Sequence, residues 1–225
     1  TVPTYSLRDV LADMPTDAFR DRIVFVGAEA LGIGDGYATP FGVLHGVEAL
    51  AGDQLPKEAA LARQHMVECH LALNRYVEAR DLARKVIADY KQQGAAYESA
   101  CTLMFLAQAE AELGNHEAAQ AALDEAAPIY ASLGASTWQA TVALRRGQIA
   151  LQLGDSDTAH KQACVAKNGF EQDRRVSYAE AVLLDGQALF VDHDLDSAEK
   201  AVQTALDIAR RGNVPSLRYS AHLLL

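Results

Sequence analysis

A period of about forty residues runs through most of this chain and constrains its fold more than any single motif. Ala79, Ala119, Ala159 and Ala198 are spaced by 40, 40 and 39 residues. Tyr90, Tyr130, Phe170 and Ala209 repeat those intervals, and so do Glu68, Gln108, Gln148 and Gln187. Three columns with one period mark stacked supersecondary units, each able to bury its apolar face only against its neighbours. The clearest unit is LAQAEAELGNHEAAQAALDEAAPIY at 106–130, two amphipathic helical segments joined at Gly114-Asn115. Ala107, Ala119 and Ala126 stand where its helices must approach closely.

Four helical hairpins follow from this phase: 57–73 with 77–92, 96–113 with 117–133, 136–153 with 157–172, and 176–191 with 196–211. Their internal turns are Asn74-Arg75, Gly114-Asn115, Gly154-Asp155 and His193-Asp194, all containing residues that tolerate the left-handed conformation closing a helix. Gly94, Gly134 and Gly212 serve the links between hairpins, while Asp173-Arg174 replaces glycine in the third link. Gly147 and Gly186 share the column of Ala107 and predict close contact between neighbouring helices. The chain opens on Thr1 and closes on an apolar run, residues 220–225, that reads as the first helix of a fifth hairpin. It is expected to be a fragment of a longer protein.

Residues 1–52 have a different grammar. Residues 5–14 form a short helical pattern with Ser6 as its N-cap. Ile23-Val24-Phe25-Val26-Gly27 reads as a buried strand, followed by an irregular loop through Gly32, Gly34, Asp35, Gly36 and Thr39-Pro40, and then by a helix starting at His45. A dinucleotide site needs G-x-G-x-x-G directly between strand and helix, and these glycines are not so spaced.

Composition narrows the function classes. The 225 residues carry a net charge of −10, which opposes binding to a phosphate backbone and fits a protein or peptide partner better. Cys69, Cys101 and Cys164 are far apart, form no C-x-x-C pair, and read as reduced cysteines in helices that behave as small hydrophobes. No run approaches the roughly 18 apolar residues of a membrane span.

Two resemblances follow from these residues. Ile23 to Gly27, Gly34-Asp35, Thr39-Pro40-Phe41-Gly42 and Gly46-Val47-Glu48 resemble the C-terminal end of sensor domains of the second CHASE type, found in bacterial cyclases, kinases and other signalling proteins. That family usually continues into membrane-spanning helices, whereas Gly52-Asp53-Gln54-Leu55-Pro56 leads directly into polar repeats. Either the spans are lost, or the two segments are not neighbours in the parent protein. The small residues Ala107, Gly147 and Gly186, the glycine turns and the Ala79/Ala119/Ala159/Ala198 column resemble tetratricopeptide repeats. The helices are a few residues longer than those of the usual unit of about 34, similar to the repeats found beside CHAT-type peptidase domains and in bacterial regulators. The resemblance implies a superhelix whose concave groove, lined by the first helices, holds partner peptides.

His65 and Cys69 share a helix face at metal-binding spacing, but no second pair joins them and His70 points elsewhere. No nucleophile elbow or catalytic cysteine box is present. His116 and His160 are expected to be solvated near turns, and Glu110, Glu112, Asp124 and Glu125 to be helix-surface charges. The Glu68/Gln108/Gln148/Gln187 column forms a polar ladder able both to donate to and to accept from an extended peptide. Its alternative reading is that Gln is simply a good helix former. Met104, Leu144 and Leu183 are expected to flank the ladder as apolar groove positions, with core packing as their alternative. Asp35 and Thr39 are the candidate residues of the sensor-segment loop.

The reading as a whole is a mostly α protein: a tetratricopeptide-like α-α superhelix over 53–225, preceded by a partial α/β sensor-domain segment over 1–52. The expected function is a non-enzymatic protein-interaction scaffold in a bacterial signalling or effector protein, binding a peptide or protein segment without cofactor, metal or nucleic acid. The alternative is a non-catalytic part of a larger enzyme (CHAT-type peptidase, nucleotide cyclase or kinase) whose catalytic domain lies outside these residues. The repeats are expected in the cytoplasm, with the parent protein associated with the inner membrane.

Overall fold

The computed structural model describes residues 36–39, 42–45, 56–170 and 175–224. Among them are a short hairpin of β1 (Gly36–Thr39) and β2 (Gly42–His45) and nine helices. These are α1 (Pro56–Ala72), α2 (Tyr76–Gln92), α3 (Ala96–Glu112), α4 (His116–Ser132), α5 (Ser136–Gln152), α6 (Ser156–Gly169), α7 (Arg175–Val191), α8 (Leu195–Arg211) and α9 (Pro215–His222). The four expected hairpins are α1/α2, α3/α4, α5/α6 and α7/α8, and α9 begins a fifth.

Burial separates the helices into two layers. On α2 and α8 the buried residues form one stripe, Ala79, Ala83, Val86, Ile87 and Tyr90 on the former and Ala198, Val202, Ala205, Leu206 and Ala209 on the latter. This is the pattern of a helix packed on one face only. On α3 burial runs without a break from Ser99 to Met104 and resumes at Ala107, Ala109 and Glu110. Such a helix is sandwiched: α3 touches its partner α4, the preceding α2, and both neighbouring first helices, α1 and α5. First helices are therefore the inner layer of the stack. The alanine column and the Tyr90/Tyr130/Phe170/Ala209 column are buried throughout. The period read from the sequence is thus a period of core positions. At the α4–α5 junction Tyr130 stacks on Trp138 with ring centroids 5.3 Å apart, and its hydroxyl lies 3.6 Å from Cys101 Sγ.

The seven helix–helix junctions that lie wholly within the described residues close in one way. At α3/α4 the Asn115 N–H donates to the Glu110 carbonyl (2.8 Å) and the Gly114 N–H to the Ala111 carbonyl (3.0 Å). This paired closure satisfies carbonyls that the helix end leaves free. The left-handed position is taken by Asn74, Gly94, Gly114, Gly134, Gly154, His193 and Asn213. In the last of these Gly212 was the expected turn residue, but it stays right-handed (φ −83°) and Asn213 takes φ +51°. Residues 171–174 of the α6/α7 connection lie outside the described residues. α6 stops at Gly169, short of the expected 172, and Phe170 leaves in extended conformation with its ring buried. The third link has no glycine or asparagine to carry the usual closure.

Gly147 is a close-contact residue, as its column predicted. A Cβ there would stand 2.7 Å from Leu184 Cδ2 and 3.3 Å from the Ala159 carbonyl oxygen.

Three local expectations are corrected. The stretch through Thr39-Pro40 is not irregular throughout: Gly36 to Thr39 pairs antiparallel with Gly42 to His45, in the register Thr39↔Gly42 and Tyr37↔Leu44. His45 ends a strand rather than starting a helix. Glu110 is not a surface charge. It is 1% exposed, and its carboxylate accepts from Arg84 Nη2 (2.6 Å) and Asn115 Nδ2 (2.8 Å). His160 is not simply solvated, because its Nδ1 stands 2.6 Å from Asp185 Oδ1 across the α6–α7 contact. The expected helix at 5–14, the strand at 23–27, Asp35 and the helix beyond His45 lie outside the described residues.

Candidate functional site

The ladder residues fall on the inner helices, Glu68 on α1, Gln108 on α3, Gln148 on α5 and Gln187 on α7. Glu68 is exposed and the three glutamines are half-buried. Gln108 and Gln148 are joined by Arg145, which the sequence reading did not single out. Arg145 Nη1 donates to Gln148 Oε1 at 3.0 Å, and Nη2 reaches Gln108 Oε1 at a long 3.5 Å. A guanidinium only donates, so both amides turn their oxygens to it and keep their NH₂ groups for another acceptor. One cation thereby fixes the orientation of two amides on successive repeats. No hydrogen bond among the described residues extends this set to Glu68 or Gln187.

Burial pulls the Arg145 pKa down, and the charges of Glu180 and Glu112 pull it back up. Glu180 is shifted the other way: burial raises its pKa, and Arg145 opposes the rise. The cation thus sits between acids on α3 and α7, on a face otherwise made of amides. A cavity of about 40 Å³ opens beside it, bounded by Ala107, Ala111 and Ile149 and by the polar groups of Gln108, Glu112, Arg145, Gln148 and Gln152. It has room for a water or the tip of a side chain. Small-molecule sites run to several hundred Å³, so the face suits a chain lying across it better than a ligand sunk into it.

Met104, Leu144 and Leu183, expected to provide apolar groove pockets, are 5%, 2% and 5% exposed and lie in three separate core clusters. The reason is the sandwiching of the inner helices, which packs these positions against neighbouring helices on more than one side. Thr39 is the last residue of β1. His70 is buried at the end of α1, and burial, aided by Arg75, lowers its pKa. His65 and Cys69 belong to no three-ligand group among the described residues.

Comparison with known proteins agrees with this architecture. Residues 98–172 match the tetratricopeptide repeat family model, and residues 1–65 match the CHASE2 domain model. Among solved structures, the chain is similar to BtubC (BKLC) from P. vanneervenii, with a TM-score of 0.61 at 17% identity. That alignment covers 71% of this chain and 66% of the other, just under two thirds of its length. No curated protein matches. The helical array is a tetratricopeptide-like superhelix, a form of repeat that generally serves as a protein-interaction scaffold and is typically non-catalytic. No helix among the described residues is long and apolar enough to cross a membrane.

Proposed function

We propose that the inner-helix face around Arg145 binds an extended segment of a partner protein. The Gln108 and Gln148 amides donate to its main-chain carbonyls, and Glu68 and Gln187 extend the contact toward either end. The carrying observation is the pair of bonds from Arg145, because they aim the spare donors of two repeats without demanding any particular partner side chain. The CHASE2 match supports reading residues 1–52 as the end of a sensor segment, with Asp35 and Thr39 in its loop, and residues 53–225 as the interaction unit that follows it. In this reading the chain is part of a signalling protein whose sensor lies at the membrane and whose repeats recruit a partner in the cytoplasm.

A photo-crosslinking residue tests the surface. Placed at Gln152, which borders the cavity, it should capture a partner from cells expressing the chain. Placed at Lys200, exposed on the outer helix α8, it should not. Capture at Lys200 alone would move the binding surface to the outer layer.

A further inference from the structure

Away from the amide face, α6 and α7 bring three metal-ligating side chains together. His160 and Cys164 are four residues apart on α6 and share a face, and Asp185 meets them from α7. One ligand atom from each lies within 4.8 Å of the other two. His160 Nδ1 and Asp185 Oδ1 are only 2.6 Å apart, at ion-pair distance, and neither atom has a hydrogen-bond partner elsewhere among the described residues. Cys164 Sγ stands 3.8 Å from His160 Nε2. A metal ion entering here would replace that contact and be ligated by both atoms.

We propose that His160, Cys164 and Asp185 form a divalent transition-metal site of the zinc class. An imidazole nitrogen, a thiolate and a carboxylate oxygen make a donor set suited to zinc, whereas magnesium and calcium select oxygen ligands. Binding releases the thiol proton to solvent, so that thiolate and carboxylate balance the charge of the ion. Tetrahedral zinc holds its ligand atoms about 3–4 Å apart, so the 2.6 Å pair opens slightly as the metal enters and a fourth position is left for water. The second oxygen of Asp185 accepts from Lys167 Nζ at 2.5 Å, an outer contact that fixes the carboxylate. The ion would tie the third hairpin to the fourth near the early end of α6.

The test uses the full chain freed of metal and titrated with Zn²⁺ and Co²⁺. Wild type should bind one ion, show a thiolate-to-cobalt charge-transfer band, and melt at higher temperature with Zn²⁺ than with chelator. His160→Ala, Cys164→Ser and Asp185→Asn should each weaken zinc at least about tenfold, the loss that even removal of an outer-shell partner can cause. Cys69→Ser should leave affinity unchanged. Should a variant fold poorly, iodoacetamide labelling of Cys164 in wild type, followed by mass spectrometry, decides the matter. Labelling should slow at least tenfold with Zn²⁺. Absence of the cobalt band, equal zinc affinity in the three ligand variants, or an unchanged labelling rate would each overturn the site.

Discussion

Arg84 on α2 and Glu110 on α3 meet at 2.6 Å, but their surroundings are opposite: the Glu110 side chain is 2% exposed and that of Arg84 57%. The ion pair is therefore one buried anion held by a solvated cation. Asn115, the second partner of the carboxylate, is also exposed. Removing the acid strands nothing, because both partners can hydrate, whereas removing the arginine leaves a buried charge short of its counter-ion. Arg84→Ala should cost about 1–3 kcal/mol, while Glu110→Leu should stay within about 1 kcal/mol of wild type. Urea melts followed by the fluorescence of Trp138, the only tryptophan, measure both. A larger loss for Glu110→Leu would contradict this asymmetry.

Gly147 gives a second prediction. Alanine in place of glycine normally stabilises a helix by up to about 1 kcal/mol. Here the added Cβ would meet Leu184 and the Ala159 carbonyl, and overpacking costs typically 1–3 kcal/mol. Gly147→Ala should lower the urea midpoint and Gly147→Leu should lower it further. A stabilised Gly147→Ala would mean that the α5–α6–α7 contact is loose.

His70 predicts part of the pH dependence. Its ordinary pKa is 6.5, and burial followed by the Arg75 charge lowers it in the folded chain, with Glu78 opposing. The folded state then binds the proton less readily than the unfolded state. This contribution to stability is complete above pH 6.5 and is lost as pH falls below that value toward the folded-state pKa. Urea midpoints at about pH 7.5 and about pH 5.5 should fall more in wild type than in His70→Leu. An identical drop in both would show that His70 takes no part.

How legible was this chain? The repeats were written in it three times over, and two of the three columns, the alanines and Tyr90/Tyr130/Phe170/Ala209, fall on buried positions that every hairpin must fill alike. Hence seven of the eight expected helix boundary pairs differ from the observed ones by no more than one residue at either end. The exception, α6, is also where the turn chemistry departs from the pattern. The site was read less well. The glutamine column has a constant phase, so it could be seen. Arg145 has no counterpart at that phase, since Phe105 and Leu184 stand forty residues before it and thirty-nine after, and a period cannot reveal a residue used once. Met104, Leu144 and Leu183 show the reverse failure. Periodicity places a residue on a face, but only the packing of neighbouring inner helices decides whether that face is open. The buried Glu110 and the His160–Asp185 contact depend on partners 26 and 25 residues away, on other helices, which no local pattern encodes.

The amide face is the central claim, and peptide selection tests it most directly. Peptides selected from a random displayed library against wild-type protein should be titrated calorimetrically onto wild type and onto Gln108→Ala, Gln148→Ala and Arg145→Ala variants. Each glutamine substitution should weaken binding by about 0.5–1.5 kcal/mol. Arg145→Ala should weaken it at least as much, since both amides lose the bond that orients them. Melting temperatures of the glutamine variants should stay near wild type, because alanine is the better helix former. Peptides that bind all three variants as tightly as wild type would contradict the claim and leave the glutamine column a matter of helix propensity.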